Sequence, residues 1–501
     1  MPEPANVCRE GDNTLAGKRV ALVFVPGVMG TRIQFPQDDD KWDPDSNLNM
    51  YGWSREDADT KRRILDYRRR GVIFTDPSST FDTNHASRVA RGWGGLRWKS
   101  YGTILSAMES WSFGTNQTPV YAYGYDWRQP IQMLGVQMAA DILGGTQSGH
   151  SQTATNSGRF GTGGLLAHAK AEKCILITHS MGGLVSRMAL LGCPALREKT
   201  VAVMHGVQPA TGGTTLYRRL ITGAYAPLDG GDDTESKVFR NILGPEADSI
   251  AKMLSLCPGP FQLVPSDLLR EACFQAGWSL ATWTEFAEGR QPIHQLTADF
   301  LTALGQPETA SPPGVVRSSL SGAIQGDMAS RVSGVKIFHS KLGSWKYDNR
   351  TWAFYGTGVN TDHTVHCDLP PATYTHRTEG LIFKDHIYEA VDPSGKTVVL
   401  DKVADIDRRG YRPNPNPRNA SPTAPIGFGP HGDGTVPRLS GAALFDPTET
   451  ANLGSISKGN YDFAKNKQFS VPNLNHEPAY TESAPVRDLV QAWVRYVLGA
   501  F

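Results

Sequence analysis

No uncharged apolar run in this sequence approaches the ~20 residues a membrane-spanning helix needs, so no bilayer-crossing segment is expected. A surplus of charge is missing too: 50 Lys and Arg stand against 49 Asp and Glu, a net +1. That balance offers no footprint for a phosphate backbone, and nucleic acid is not an expected partner. Cysteine is sparse, with six residues at 8, 174, 193, 257, 273 and 367 that form no CxxC pair and no repeated spacing. Neither a zinc site nor a dense disulfide framework is indicated, and one bridge, Cys257 to Cys273, is left open. No internal repeat is found. What the 501 residues hold in quantity is Gly and Pro, 52 and 33, beside 39% apolar and 20% charged residues. This is enough hydrophobic side chain for a large core and too little charge for disorder.

The N-terminal stretch MPEPANVCREGDNTLAGKRV carries no apolar segment of the signal-peptide kind. The expectation is synthesis in the cytoplasm with neither leader nor anchor, and a leaderless route if the protein acts elsewhere.

Val20 to Val25 (VALVFV) and Cys174 to Thr178 (CILIT) read as strands buried on both faces, as do Val201 to Val207 and Thr351 to Tyr355. The second passes through His179-Ser180-Met181-Gly182-Gly183 into LVSRMALLG, whose apolar spacing suits a helix. Strands separated by helical segments imply a mostly parallel, doubly wound α/β sheet with function in the loops after the strand C-termini. Residues 1–215 form the first part of that core. Residues 216–306, helical in pattern and carrying Trp278, Trp283 and Phe286, read as an inserted cap or lid. Residues 307–501 return to the core, with a loop-rich excursion over 367–429 that has one β-like piece, KTVVL, and little other regular structure.

Thr178-His179-Ser180-Met181-Gly182 is close to the G-x-S-x-G elbow, a strained strand-to-helix turn that lifts a serine above the sheet. Thr178 replaces the first Gly, while Gly182 and Gly183 still let the helix approach the strand. The helix N-terminus directs free N–H groups at a developing oxyanion. A second donor is expected from the loop Val25-Pro26-Gly27-Val28-Met29-Gly30, which makes the amides of Val28 and Met181 the candidate oxyanion hole. A serine needs a base and the base an orienting carboxylate, in the chain order Ser, Asp, His for this fold. His431-Gly432-Asp433-Gly434-Thr435-Val436-Pro437 supplies Asp433, and Asn475-His476-Glu477, just before a C-terminal helical pattern, supplies His476. His431 and His179 compete for the base, and the side chain of His179 is expected to point away from the reacting atoms.

VFVPGVMGTRI, GYDWR (Gly124 to Arg128), THSMGGL, PGPFQLVPS (Pro258 to Ser266), YGTGVNT (Tyr355 to Thr361) and GDGTVPRLS occur in an order that resembles the lecithin:cholesterol acyltransferase family, which includes lysosomal phospholipase A2. The resemblance implies an α/β-hydrolase fold with a cap and an acyl-enzyme formed from a lipid ester. It makes Ser180 the nucleophile, Asp433 the orienter and His476 the base, with Val28 and Met181 at the oxyanion positions. Asp126-Trp127-Arg128 matches a feature read as mainly structural. The absent leader resembles bacterial phospholipase effectors of type VI secretion, which would bring an immunity protein or a secretion component as partner.

The expected activity is hydrolysis of a phospholipid or other lipid ester, with transient contact to a membrane surface. An acyltransferase that passes the acyl group to an alcohol is the first alternative, and a non-catalytic binding protein on a hydrolase scaffold the second. No cofactor is expected. Asp38-Asp39-Asp40 with Asp43 and Asp45, and Asp229-Gly230-Gly231-Asp232-Asp233, are carboxylate clusters suited to Ca²⁺ by oxygen preference, but they lack EF-hand spacing and read as solvated loops.

Overall fold

A computed structural model describes residues 15–75, 86–145, 157–216, 219, 224, 240–244, 247–266, 322–343, 347, 349–362, 366–367, 374–379, 385–391, 397–400, 411–412, 428–442 and 450–499. Seven strands make the central sheet: β1 Val20–Val25, β2 Val120–Ala122, β3 Lys173–His179, β4 Thr200–Gly206, β5 Thr351–Thr357, β6 Thr450–Asn452 and β7 Gln468–Pro472. Their order is β6-β7-β5-β4-β3-β1-β2, and every neighbouring pair is parallel. This is the parallel α/β sheet expected from the strand and helix pattern, in the α/β-hydrolase arrangement that the family resemblance implies. All six residues of β1 are fully buried, as a strand covered by helices on both faces requires.

Two apolar layers sandwich the sheet. On one side, α2 (Ile131–Leu143) packs on α3 (Met181–Gly192), so closely that a Cβ on Gly135 would stand 2.8 Å from the backbone of Ala189. On the other lie α1 (Trp98–Ser110) and the C-terminal α4 (Ala484–Val497). In α4 the buried Val486, Leu489, Val490, Trp493, Val494 and Val497 fall at helical spacing, and Ser483 caps the helix by accepting from the Val486 amide. A small antiparallel sheet, Ile33–Phe35 with Asp40–Trp42 and Val72–Ile73, flanks the loop after β1.

Of the expected cap, Ala247–Ser255 and Pro258–Phe261 are helical. Most of 216–306, with Trp278, Trp283 and Phe286, lies outside the described residues, as does the Asp229–Asp233 cluster. The excursion holds more regular structure than expected: Tyr374–Glu379, Asp385–Val391 and Thr397–Leu400 form a three-stranded antiparallel sheet. Pairing within a short span gives these polar segments a strand ladder that one-sided apolar patterning does not announce. Cys257 is a free, buried thiol that points its Sγ at the Leu65 and Met253 carbonyls, so the bridge to Cys273 is not formed.

Candidate active site

The chain crosses from β3 to α3 at Ser180, which takes φ 51° and ψ −125°. A non-glycine residue in that region carries strain of about 1–3 kcal/mol and persists only where its surroundings hold it. The Ser180 amide donates to the Gly206 carbonyl of β4 at 2.9 Å, which ties the turn to the sheet. Glycine is required beside it at 182, since a Cβ on Gly182 would stand 2.3 Å from the Pro26 carbonyl oxygen, whereas one on Gly183 would press on the Gln208 side chain at 2.7 Å. Thr178 fits where the motif has glycine because its Oγ1 meets His205 Nδ1 at 2.9 Å in the core.

Asp433 sits in a turn that its own flanking glycines permit. A Cβ on Gly432 would meet the Val436 carbonyl at 2.3 Å, and Gly434 has φ 91°. Asp433 Oδ1 accepts from the amides of Thr435 and Val436 at 3.0 and 2.6 Å, leaving Oδ2 to accept from His476 Nδ1 at 2.8 Å. His476 Nε2 lies 2.9 Å from Ser180 Oγ, and the His476 amide donates to the Asp433 carbonyl at 2.8 Å. The three expected residues thus form one buried hydrogen-bonded series, although 296 positions separate Ser180 from His476. Burial works against a charged His476 ring; the Asp433 carboxylate overrides it by charge and hydrogen bond, with Glu477 adding, and the pKa is raised.

The loop after β1 lies against this series. Tyr125 donates to the Pro26 carbonyl at 2.8 Å, the Gly27 amide donates to Tyr101 Oη at 3.0 Å, and Trp42 Nε1 donates to the Met29 carbonyl at 3.0 Å. A Cβ on Gly27 would stand 3.1 Å from Ser180 Cβ. Among the described residues the amides of Val28 and Met181 have no hydrogen-bond partner.

Two family-like motifs meet behind Met181. A Cβ on Gly259 would crowd the carbonyls of Trp127 and Gln129 and Met181 Cε at 2.9 Å, and Gln262 Oε1 accepts from the Ile131 amide. Asp126 and Arg128 are wholly buried and paired at 2.7 Å, and Arg128 also donates to the Asp66 and Arg69 carbonyls. That pair braces the 66–69 loop.

His179 lies beneath the series, bonded to Tyr101 and to the His476 carbonyl and not to Ser180 Oγ. Of His431 only the backbone is described, in Phe428–Gly432. Four of the five carboxylates of the 38–45 cluster are engaged: Asp38 and Asp40 by Arg63 and Arg69, Asp43 by Arg32 at 2.7 Å, and Asp45 by the amides of Trp98 and Lys99; Asp39 is exposed. Among the described residues no group of His, Cys, Asp and Glu is arranged to hold a metal, and no helix is long and apolar enough to cross a membrane.

No family model matches the chain. No curated protein matches it either. Among solved structures it is similar to that of the Tle4-Tli4 complex, with a TM-score of 0.59 and 17% identity over 96% of this chain and 98% of that one. At that identity the likeness supports the fold and not the chemistry.

Proposed function

We propose that this protein is a serine-dependent lipid ester hydrolase of the phospholipase A type. The observation that carries the reading is the continuous series Ser180 Oγ, His476, Asp433, with both links at 2.9 Å or less. Ser180 attacks a fatty-acyl carbonyl as His476 Nε2 takes its proton, and Asp433 holds the ring in the tautomer with hydrogen on Nδ1. The amides of Val28 and Met181 hold the tetrahedral oxyanion. His476 then returns the proton to the leaving alcohol, and water, activated by the same nitrogen, releases the fatty acid. None of these steps requires a metal or cofactor.

The acyl donor class is supported by the ordered motifs that resemble the lecithin:cholesterol acyltransferase family, from VFVPGVMGTRI to GDGTVPRLS. The Tle4 structure was determined as a complex with Tli4, and this favours a dedicated protein partner for the present chain. We extend this to an antibacterial effector, with an immunity protein as that partner.

The test is purified protein and Ser180→Ala on mixed phospholipid vesicles, with products read by mass spectrometry. Fatty acid and lysolipid released only by the wild type support the reading. Transfer to an added alcohol at the expense of free fatty acid would make it an acyltransferase. Silence on phospholipids and on soluble esters would favour a binding protein on this scaffold.

A further inference from the structure

We propose that Tyr101 and His179 form a positioning relay that sets the oxyanion loop and the His476 loop at a fixed distance from each other. This rests on the hydrolase reading above. Neither residue touches the reacting atoms, and both are buried.

The relay is a single hydrogen-bonded path. It runs from the Gly27 amide to Tyr101 Oη at 3.0 Å, from Tyr101 Oη to His179 Nδ1 at 3.1 Å, and from His179 Nε2 to the His476 carbonyl at 2.9 Å. Its two ends dictate every proton. A backbone amide can only donate, so Tyr101 Oη accepts from Gly27; a carbonyl can only accept, so His179 carries its hydrogen on Nε2. Neutral His179 then has a bare Nδ1, and Tyr101 Oη–H donates to it. Each group in the path is satisfied in one arrangement. A second proton on His179 would set two donors against each other at Tyr101, in keeping with burial and the neighbouring His476, which bring its pKa down to about 4.

The first turn of α1 is the common support. The amide of Arg97, the N-cap residue before it, donates to the Gly30 carbonyl at 2.9 Å, and Tyr101 holds Gly27, so two points of the oxyanion loop are fixed from this helix start. On the other flank, Arg97 Nη1 and Ser100 Oγ both bond Glu477 Oε1 at 2.6 Å, next to His476. His179 is the link inside this frame, immediately before Ser180. It joins the elbow, the oxyanion loop and the base loop at one ring. Oxyanion donors and base must both lie within about half an ångström of their working positions, and a misplacement near 1 Å is enough to cost about 10²-fold in rate.

Three variants test this: Tyr101→Phe, which removes one oxygen; His179→Phe, which removes both ring nitrogens; and His179→Gln, which can still donate to the His476 carbonyl. The readouts are kcat and KM on a soluble p-nitrophenyl ester per active site titrated with a fluorophosphonate, and the low-field proton NMR resonance of His476 Nδ1–H. The relay predicts kcat lower by about tenfold in Tyr101→Phe and about 100-fold in His179→Phe, with KM within about twofold, and partial recovery in His179→Gln. It also predicts that the resonance moves in Tyr101→Phe. Unchanged kcat per titrated site in the folded variants would overturn it, because a purely structural role lowers the amount of folded protein and not the turnover of each site. If His179→Phe does not fold, Tyr101→Phe decides. If the wild type is neither labelled at Ser180 nor hydrolytic, the hydrolase reading fails; the relay is then judged by the resonance alone, supported if it moves in Tyr101→Phe and overturned if it does not.

Discussion

Gly182 approaches Pro26 so closely that a Cβ on it would stand 2.3 Å from the Pro26 carbonyl oxygen. The obstacle is backbone on both sides, so an added methyl must push α3 and the oxyanion loop apart. Gly182→Ala is expected to lower kcat by about 10²-fold, because the donors at Val28 and Met181 then lie at the wrong separation. Steady-state kinetics on a soluble ester check this. Wild-type turnover in a folded Gly182→Ala protein would contradict it.

The activity should have an acid limb set by His476, which must be neutral to accept the Ser180 proton. Its pKa is raised, burial being overridden by Asp433, so kcat/KM is expected to fall as pH drops through a value above the ordinary ~6.5. The linked stability runs the other way: a raised folded pKa gives stability that is present below the unfolded value and lost as pH rises through the folded one. Asp433→Asn should move the limb to lower pH and reduce kcat by about 10⁴-fold, since the ring loses its tautomer control. A pH-rate profile of both proteins checks this.

Acid should destabilise the fold through two other histidines. Burial, aided by Arg187, takes His205 down to about 3, and burial with His476 takes His179 down to about 4. With depressed folded values, their contribution is present above the unfolded ~6.5 and is lost as pH falls toward 4. Thermal melts between pH 7 and 4 should show a falling midpoint, with a shallower fall in His205→Gln. Equal slopes in the two proteins would contradict the assignment.

Asp126 and Arg128 are wholly buried partners, and removing one leaves the other uncompensated. Asp126→Ala is expected to lose about 3–5 kcal/mol of stability while keeping kcat per folded site. Chemical denaturation with active-site titration checks this. A loss of kcat or a rise in KM without loss of stability would place the pair at the substrate.

The strands that carry the site were legible because their patterns are strong. VALVFV and CILIT are apolar on both faces, and Ser180, Asp433 and His476 stand in short glycine-rich or loop contexts in the order the chemistry needs. Val120–Ala122 and Thr450–Asn452 were not legible, since three residues are too few to show a period. The relay was hidden for another reason: His179 and the His476 carbonyl are 297 positions apart, and nothing local marks either as a partner. Asp38, Asp40 and Asp43 likewise look like part of a free acidic loop until the fold brings Arg32, Arg63 and Arg69 to them.

The central claim is that Ser180 is a nucleophile activated by His476. Incubation with a fluorophosphonate, followed by peptide mass spectrometry, tests it without knowledge of the natural ester. The expected result is a stoichiometric adduct on the Ser180 peptide, formed at least about 10³-fold more slowly in His476→Ala. An unmodified Ser180 in the folded wild-type protein, or equal labelling in the two, would contradict the account.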